Sequence, residues 1–218
     1  MHKSVFFRLP VLVLLLAVVA ACKTAAGGSS TGTKILQPGA PGQDTRTIST
    51  AQATDLSKVQ ATAADVKFMQ GMIGHHAQAV EMVALIKDRT ANPDMNLLGL
   101  RIQVSQDDEM AMMRTWLSER GQAIPGPHAH HEPGGFMPGM LTQEEMTALA
   151  AAKGVEFDRL FLQGMIKHHL GAITMVEELF KTPSAGQEGG IFAFASDVEA
   201  DQRMEIERMG AMLRGIMK

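Results

Sequence analysis

Met72 stands three residues before His75 and four before His76. On a helix both separations place side chains on neighbouring surface, so either imidazole can share an ion with the thioether. The two histidines are adjacent and diverge by about 100° around the axis, which makes a single ion held by both strained. His75 is expected to point inward and His76 to flank the seam. Met82 lies seven residues beyond His75, about 10 Å along a helix, and belongs to a second site or to the core. The same relations recur for Met165, His168, His169 and Met175. Thioether with imidazole suits soft or borderline cations, Cu(I) foremost, with Ag(I) competing by the same softness.

Two further donor sets accompany these. Glu109 and Glu205 fall on apolar stripes of other segments, as ligands or as partners that orient them. An imidazole and carboxylate site at His75, His168, Glu109 and Glu205 would suit zinc, iron or Cu(II). The segment from Gly126 to Met140 carries His128, His130, His131, Met137 and Met140 among seven Gly or Pro residues that prevent a helix. It reads either as a loop metal site or as an exposed polar connection. Glu-x-x-His, the spacing of di-iron bundles, is missing from the sequence, and no P-loop occurs.

What must position these residues is a repeat. Asp65–Met82 reads DVKFMQGMIGHHAQAVEM and Asp158–Met175 reads DRLFLQGMIKHHLGAITM, identical at ten of eighteen positions without a gap. The following segments also match, with Gln106, Glu109, Met113 and Leu117 in register with Gln202, Glu205, Met209 and Leu213. Apolar residues recur at helical spacing, so the unit is a helical hairpin used twice. An all-α four-helix bundle over 62–218 follows: hairpin one at 62–121, a His/Met-rich loop at 122–141, and hairpin two at 142–218. Thr62 with Asp65 and Thr142 with Glu145 have capping-box spacing. Helix boundaries are predicted near 62–89, 94–120, 156–181 and 191–217, with a short helix after Thr142 and Gly121 closing the second helix.

The 218 residues include 17 methionines, one tryptophan and no tyrosine. Twenty basic against 23 acidic residues give a net charge of -3, which provides no field for nucleic acid. A single cysteine excludes internal disulfides and Cys-based zinc or iron–sulfur modules. Residues 1–21, with Lys3, Arg8 and an apolar run from Leu9 to Ala21, read as a signal peptide. The Val19-Ala20-Ala21-Cys22 segment is similar to a bacterial lipobox, which implies lipidation of Cys22, a membrane partner and a place in the cell envelope. Residues 22–61, rich in Gly, Ser, Thr, Ala and Pro, read as a flexible linker with too few large apolar residues to pack.

The doubled D-x-x-F-x-x-x-M-I-x-H-H-x-x-A-x-x-M, each copy followed by Q-x-x-E-x-x-x-M, closely resembles the bacterial family catalogued as domain of unknown function 305. The resemblance runs from about Asp65 to the C-terminus. It implies a ferritin-like bundle exported to the envelope, and some members are periplasmic copper-binding proteins. It passes a ligand role to Met72, His75, His76 and Met82, and to Met165, His168, His169 and Met175. The reading is therefore copper sequestration or delivery, with other envelope metal-handling proteins as partners. A redox enzyme with iron or copper in the core, and a metal-free interaction module whose polar core sets helix pairing, are the alternatives.

Overall fold

The computed structural model describes residues 34–37, 44–55, 59–126 and 136–216. The chain divides into two units, Met1–Asp55 and Leu56–Lys218. Residues 1–21, which the sequence reads as a signal peptide, Cys22 and the loop histidines His128, His130 and His131 lie outside the described residues.

The first unit departs from a featureless linker. Strand β1 (Ile35–Gln37) pairs antiparallel with β2 (Arg46–Ile48), Ile35 opposite Ile48. Helix α1 (Thr50–Thr54) is opened by a capping box between Ser49 and Gln52. Backbone pairing and capping are local and need no core, which is why composition alone overlooked them; Leu36 is exposed and α1 buries nothing.

The second unit is all-α, and three of its helices begin at polar side-chain caps. Thr62 and Asp65 form a reciprocal capping box at the start of α2 (Ala63–Ala84). A break at Leu85 separates α2 from the single turn α3 (Ile86–Arg89), dividing what the periodicity reads as one helix. Asn92 caps α4 (Pro93–Glu119), with Pro93 in the first turn where its missing N–H costs nothing. Gly121, at φ +61°, ends α4: its N–H reaches the Ser118 carbonyl while that of Gln122 reaches Leu117, the paired bonds of a left-handed helix stop. Thr142 and Glu145 box the start of α5 (Gln143–Ala151), which leads into α6 (Gly154–Lys181) and α7 (Gly189–Ile216).

Helices α2 and α4 form one hairpin, α6 and α7 the other, and α2 packs on α6 to join them into a four-helix bundle. Asp65 and Asp158 act as latches between the hairpins. The Asp65 carboxylate accepts the Gly186 N–H at 2.7 Å, in the turn before α7, and Asp158 accepts the Asn92 side-chain amide at 3.1 Å, in the turn before α4. Each repeat thus holds the other's turn.

The core is split. One apolar cluster contains Phe68, Met72, Met113, Trp116, Val176 and Phe194; the other contains Met82, Ile102, Phe157, Phe161, Met165 and Met209. On each long helix the histidines or the glutamate fall between the stretches that feed the two clusters. The buried imidazoles and carboxylates therefore form a polar layer across the middle of the bundle.

Candidate metal centre

All four histidines of the repeats are buried, each no more than 1% exposed, so His76 and His169 do not flank the seam as expected. The reason is the hairpin partner. Consecutive histidines diverge around the helix, and while His75 and His168 turn toward each other across the α2–α6 contact, His76 turns to α4 and His169 to α7. The His75 and His168 rings lie with centroids 3.9 Å apart. His76 Nε2 meets Glu109 Oε2 at 2.5 Å, and His169 Nε2 meets Glu205 Oε2 at 2.6 Å. The carboxylates thus join the second histidine of each pair. A cluster of His75, His168, Glu109 and Glu205 around one ion is not assembled, and among the described residues no group of three or more His, Cys, Asp or Glu is placed to hold a metal.

Each imidazole spends Nε2 on an oxygen. His75 donates to the Pro138 carbonyl at 2.9 Å and His168 to the His75 carbonyl at 3.0 Å, while His76 and His169 donate to carboxylates. Carbonyls only accept, so at His75 and His168 Nε2 carries the proton and Nδ1 of the neutral ring presents its lone pair. At His75, His76 and His169 Nδ1 is buried with no protein partner. An orphaned buried polar atom is costly. A ring nitrogen whose opposite N–H is anchored to an oxygen is also how proteins orient histidine toward metals.

The electrostatics keep the central pair neutral. Burial, reinforced by His76 and His169 and opposed by the Pro138 carbonyl, pushes His75 down to about 3. Burial first, then His75, His169 and His76, hold His168 well below the usual imidazole range. Neither competes with a cation by carrying a proton at neutral pH.

The methionines of the repeats are placed unevenly. Met72 and Met165, one turn before their histidines, are fully buried on the same stripes. Side chains on a helix lean toward its N-terminus, so a methionine one turn before a histidine stands on the side toward which an imidazole leans. Met82 instead lies in hydrocarbon: its methyl group is 3.3 Å from the point where a Cβ on Gly164 would stand, beside Leu141. It shares its apolar cluster with Met165. Met175 occupies the equivalent place over Gly71 but opens on a cleft with Met137. Met140 is buried, its sulfur accepting the Met137 N–H at 3.3 Å.

Several contributors escaped the sequence. Residues 136–141 cross the bundle as a strap. Gln78 clamps it from α2, donating to the Leu141 carbonyl at 2.9 Å and accepting its N–H at 2.8 Å. The strap lies on α6 at Gly171, where a Cβ would overlap the Pro138 carbonyl oxygen. Gln78 and Gly171 are equivalent positions of the repeat, and their dissimilarity was the available signal. Asp201, near Glu109 and Glu205, has its carboxyl raised, first by burial and then by those carboxylates and Asp197, against the opposing charge of Arg101. Gln106 is buried with both side-chain amide atoms unpartnered.

The comparisons agree with this architecture. Residues 65–213 match the family model described as Domain of unknown function (DUF305). A DUF305 protein from Streptomyces coelicolor, classed as secreted, superposes with a TM-score of 0.61 at 30% identity, covering 70% of this chain and 93% of that one. The Cu(I)-bound form of CopM superposes with a TM-score of 0.55 at 25% identity, over 72% of this chain and 98% of CopM, which has also been solved with Cu(II) and with silver. Among curated proteins, uncharacterized protein L153 of Acanthamoeba polyphaga mimivirus is 36% identical over 63 residues, 29% of this chain and 41% of that protein's length. From the capped start of its first long helix to the last turns of its fourth, the chain belongs to the DUF305 family.

Proposed function

We propose that the protein binds a soft cation, Cu(I) foremost, in the polar layer of its bundle, and serves to sequester or deliver copper in the cell envelope. The observation that carries this reading is the set of orphaned imidazole Nδ1 atoms, oriented by fixed Nε2 hydrogen bonds, one helical turn from buried thioethers. A cation there would take Nδ1 of His75 or His76 with Met72, and Nδ1 of His169 with Met165. Thioether and imidazole together favour Cu(I) and Ag(I) over hard ions. That a structural relative of this chain has been solved with Cu(I), Cu(II) and silver supports the choice. Export and lipidation at Cys22 fit a role outside the cytoplasm, as does the secreted class of the Streptomyces coelicolor relative. Glu109 and Glu205 hold the imidazoles in position and are not ligands in this reading.

The test is an anaerobic Cu(I) titration of the mature chain against a chromophoric competing chelator. Replacing Met72 and Met165 by Leu conserves volume and folding and is expected to weaken Cu(I) binding by about tenfold or more. Unchanged competition by the variant, or no competition by the parent, overturns the assignment.

A further inference from the structure

The two halves of the bundle repeat each other, and one place where they differ in chemistry lies over a pair of equivalent glycines. Over Gly164 stand the Met82 methyl and the Leu141 side chain, both buried. Over Gly71 stand the Met175 methyl, at 3.4 Å, and the Met137 sulfur, at 3.3 Å, both measured to the point where a Cβ would be. A methionine and a leucine over one glycine are thus replaced in the other half by two methionines, whose side chains meet over one backbone gap. They line a cleft of about 540 Å³ between α2, α6 and the strap. Met137 is half-buried and Met175, 9% exposed, belongs to the apolar cluster at this end of the bundle, and both line the cleft. The charged side chains of the lining are Lys67 and Glu178, a balance that recruits no hard divalent cation. Next along the chain, the Pro138 carbonyl holds His75 Nε2.

We infer that Met137 and Met175 form a second soft-metal site, a solvent-facing thioether port for Cu(I) or Ag(I) beside the strap that covers the buried imidazoles. The site deepens the soft-cation reading and rests on it. Two thioethers without an imidazole make a weaker, faster-exchanging grip than the polar layer, as capture requires. The strap then places the captured cation one residue from the carbonyl that anchors His75.

The probe is Ag(I), a redox-inert stand-in for Cu(I), added to mature full-length protein carrying methionine labelled with ¹³C at the methyl group. Methyl resonances are assigned by single Met→Leu replacements, with the circular dichroism melt confirming folding. The Met137 and Met175 methyls are expected to shift together, in fast exchange, and Met137→Leu is expected to abolish the Met175 shift while Met72 and Met165 still respond. Shifts at Met72 and Met165 with none at Met137 and Met175 overturn the port and leave the buried site standing. A Met175 shift that survives Met137→Leu also overturns it. No methyl response anywhere overturns both.

Discussion

At the scale of single residues, the histidine–glutamate pairs divide two roles that one substitution can separate. Glu109 accepts from His76 inside the bundle, and its other oxygen accepts from Ser105 at 3.2 Å. Glu109→Ala strands a buried Nε2–H and is expected to lower stability by about 1–3 kcal/mol in chemical denaturation. Glu109→Gln keeps an acceptor for that N–H but removes the charge that strengthens the imidazole as a donor to metal. Its stability should stay near the parent's while Cu(I) affinity falls by roughly 10–100-fold. An affinity loss in proportion to stability alone would assign Glu109 to packing only. The sequence placed Glu109 and Glu205 on inward stripes, and the structure buries both. Which histidine each would meet was not legible, because that depends on how far the partner helix is rotated, and periodicity does not report this.

At the scale of elements, legibility follows whether the signal is local. The capping boxes at Thr62 and Thr142, the Asn92-Pro93 start and the Gly121 stop are all written within a few residues, and each stands where its chemistry requires. The strap is the opposite case. Its Gly and Pro content forbids a helix, yet its path is set by Gln78 from one hairpin and Gly171 from the other, 93 positions apart. Gly139 adopts φ +75° there, with its Cα 2.6 Å from the point where a Cβ on Gly171 would stand. Gly171→Ala cannot be absorbed by a side-chain rotation, since the atoms it meets are the Pro138 and Gly139 backbone. The strap must lift, which breaks the Pro138–His75 hydrogen bond and strains the Gln78 clamp. A loss of about 1–3 kcal/mol is expected, with hydrogen exchange accelerating at Leu141 N–H. Gly71→Ala is the internal control, because it meets only the Met137 sulfur and Met175 methyl at 3.3 and 3.4 Å, flexible ends that can shift. Equal destabilisation by the two changes would mean the strap is not held by close backbone approach.

At the scale of the whole molecule, a bundle with a polar layer across its middle should answer to pH in a way that an apolar bundle does not. His75 and His168 are neutral when folded, and burial holds both well below the imidazole's ordinary 6.5. A depressed imidazole means that the unfolded chain binds the proton more readily. Above pH 6.5 neither state is protonated and nothing is lost. As pH falls through 6.5 the unfolded state gains protons the folded state refuses, and stability declines until about pH 3, where folded His75 also titrates. Two such groups give a slope of at most about 2.7 kcal/mol per pH unit. Asp201 acts the other way, since its raised carboxyl takes its proton first in the folded state and adds stability on acidification. Urea denaturation of the metal-free protein in a chelating buffer, between pH 7.5 and 4, should therefore show stability falling steadily below pH 6.5. The double variant His75→Leu with His168→Leu should flatten that decline even if its stability at pH 7.5 is lower. The same decline in the variant would place the acid sensitivity outside the His75–His168 pair. A bound soft cation stabilises the folded state by mass action, so the parent loaded with Cu(I) should hold its stability to lower pH than the metal-free chain. Protons and metal would then be competing for the same buried nitrogens that the two hairpins bring together.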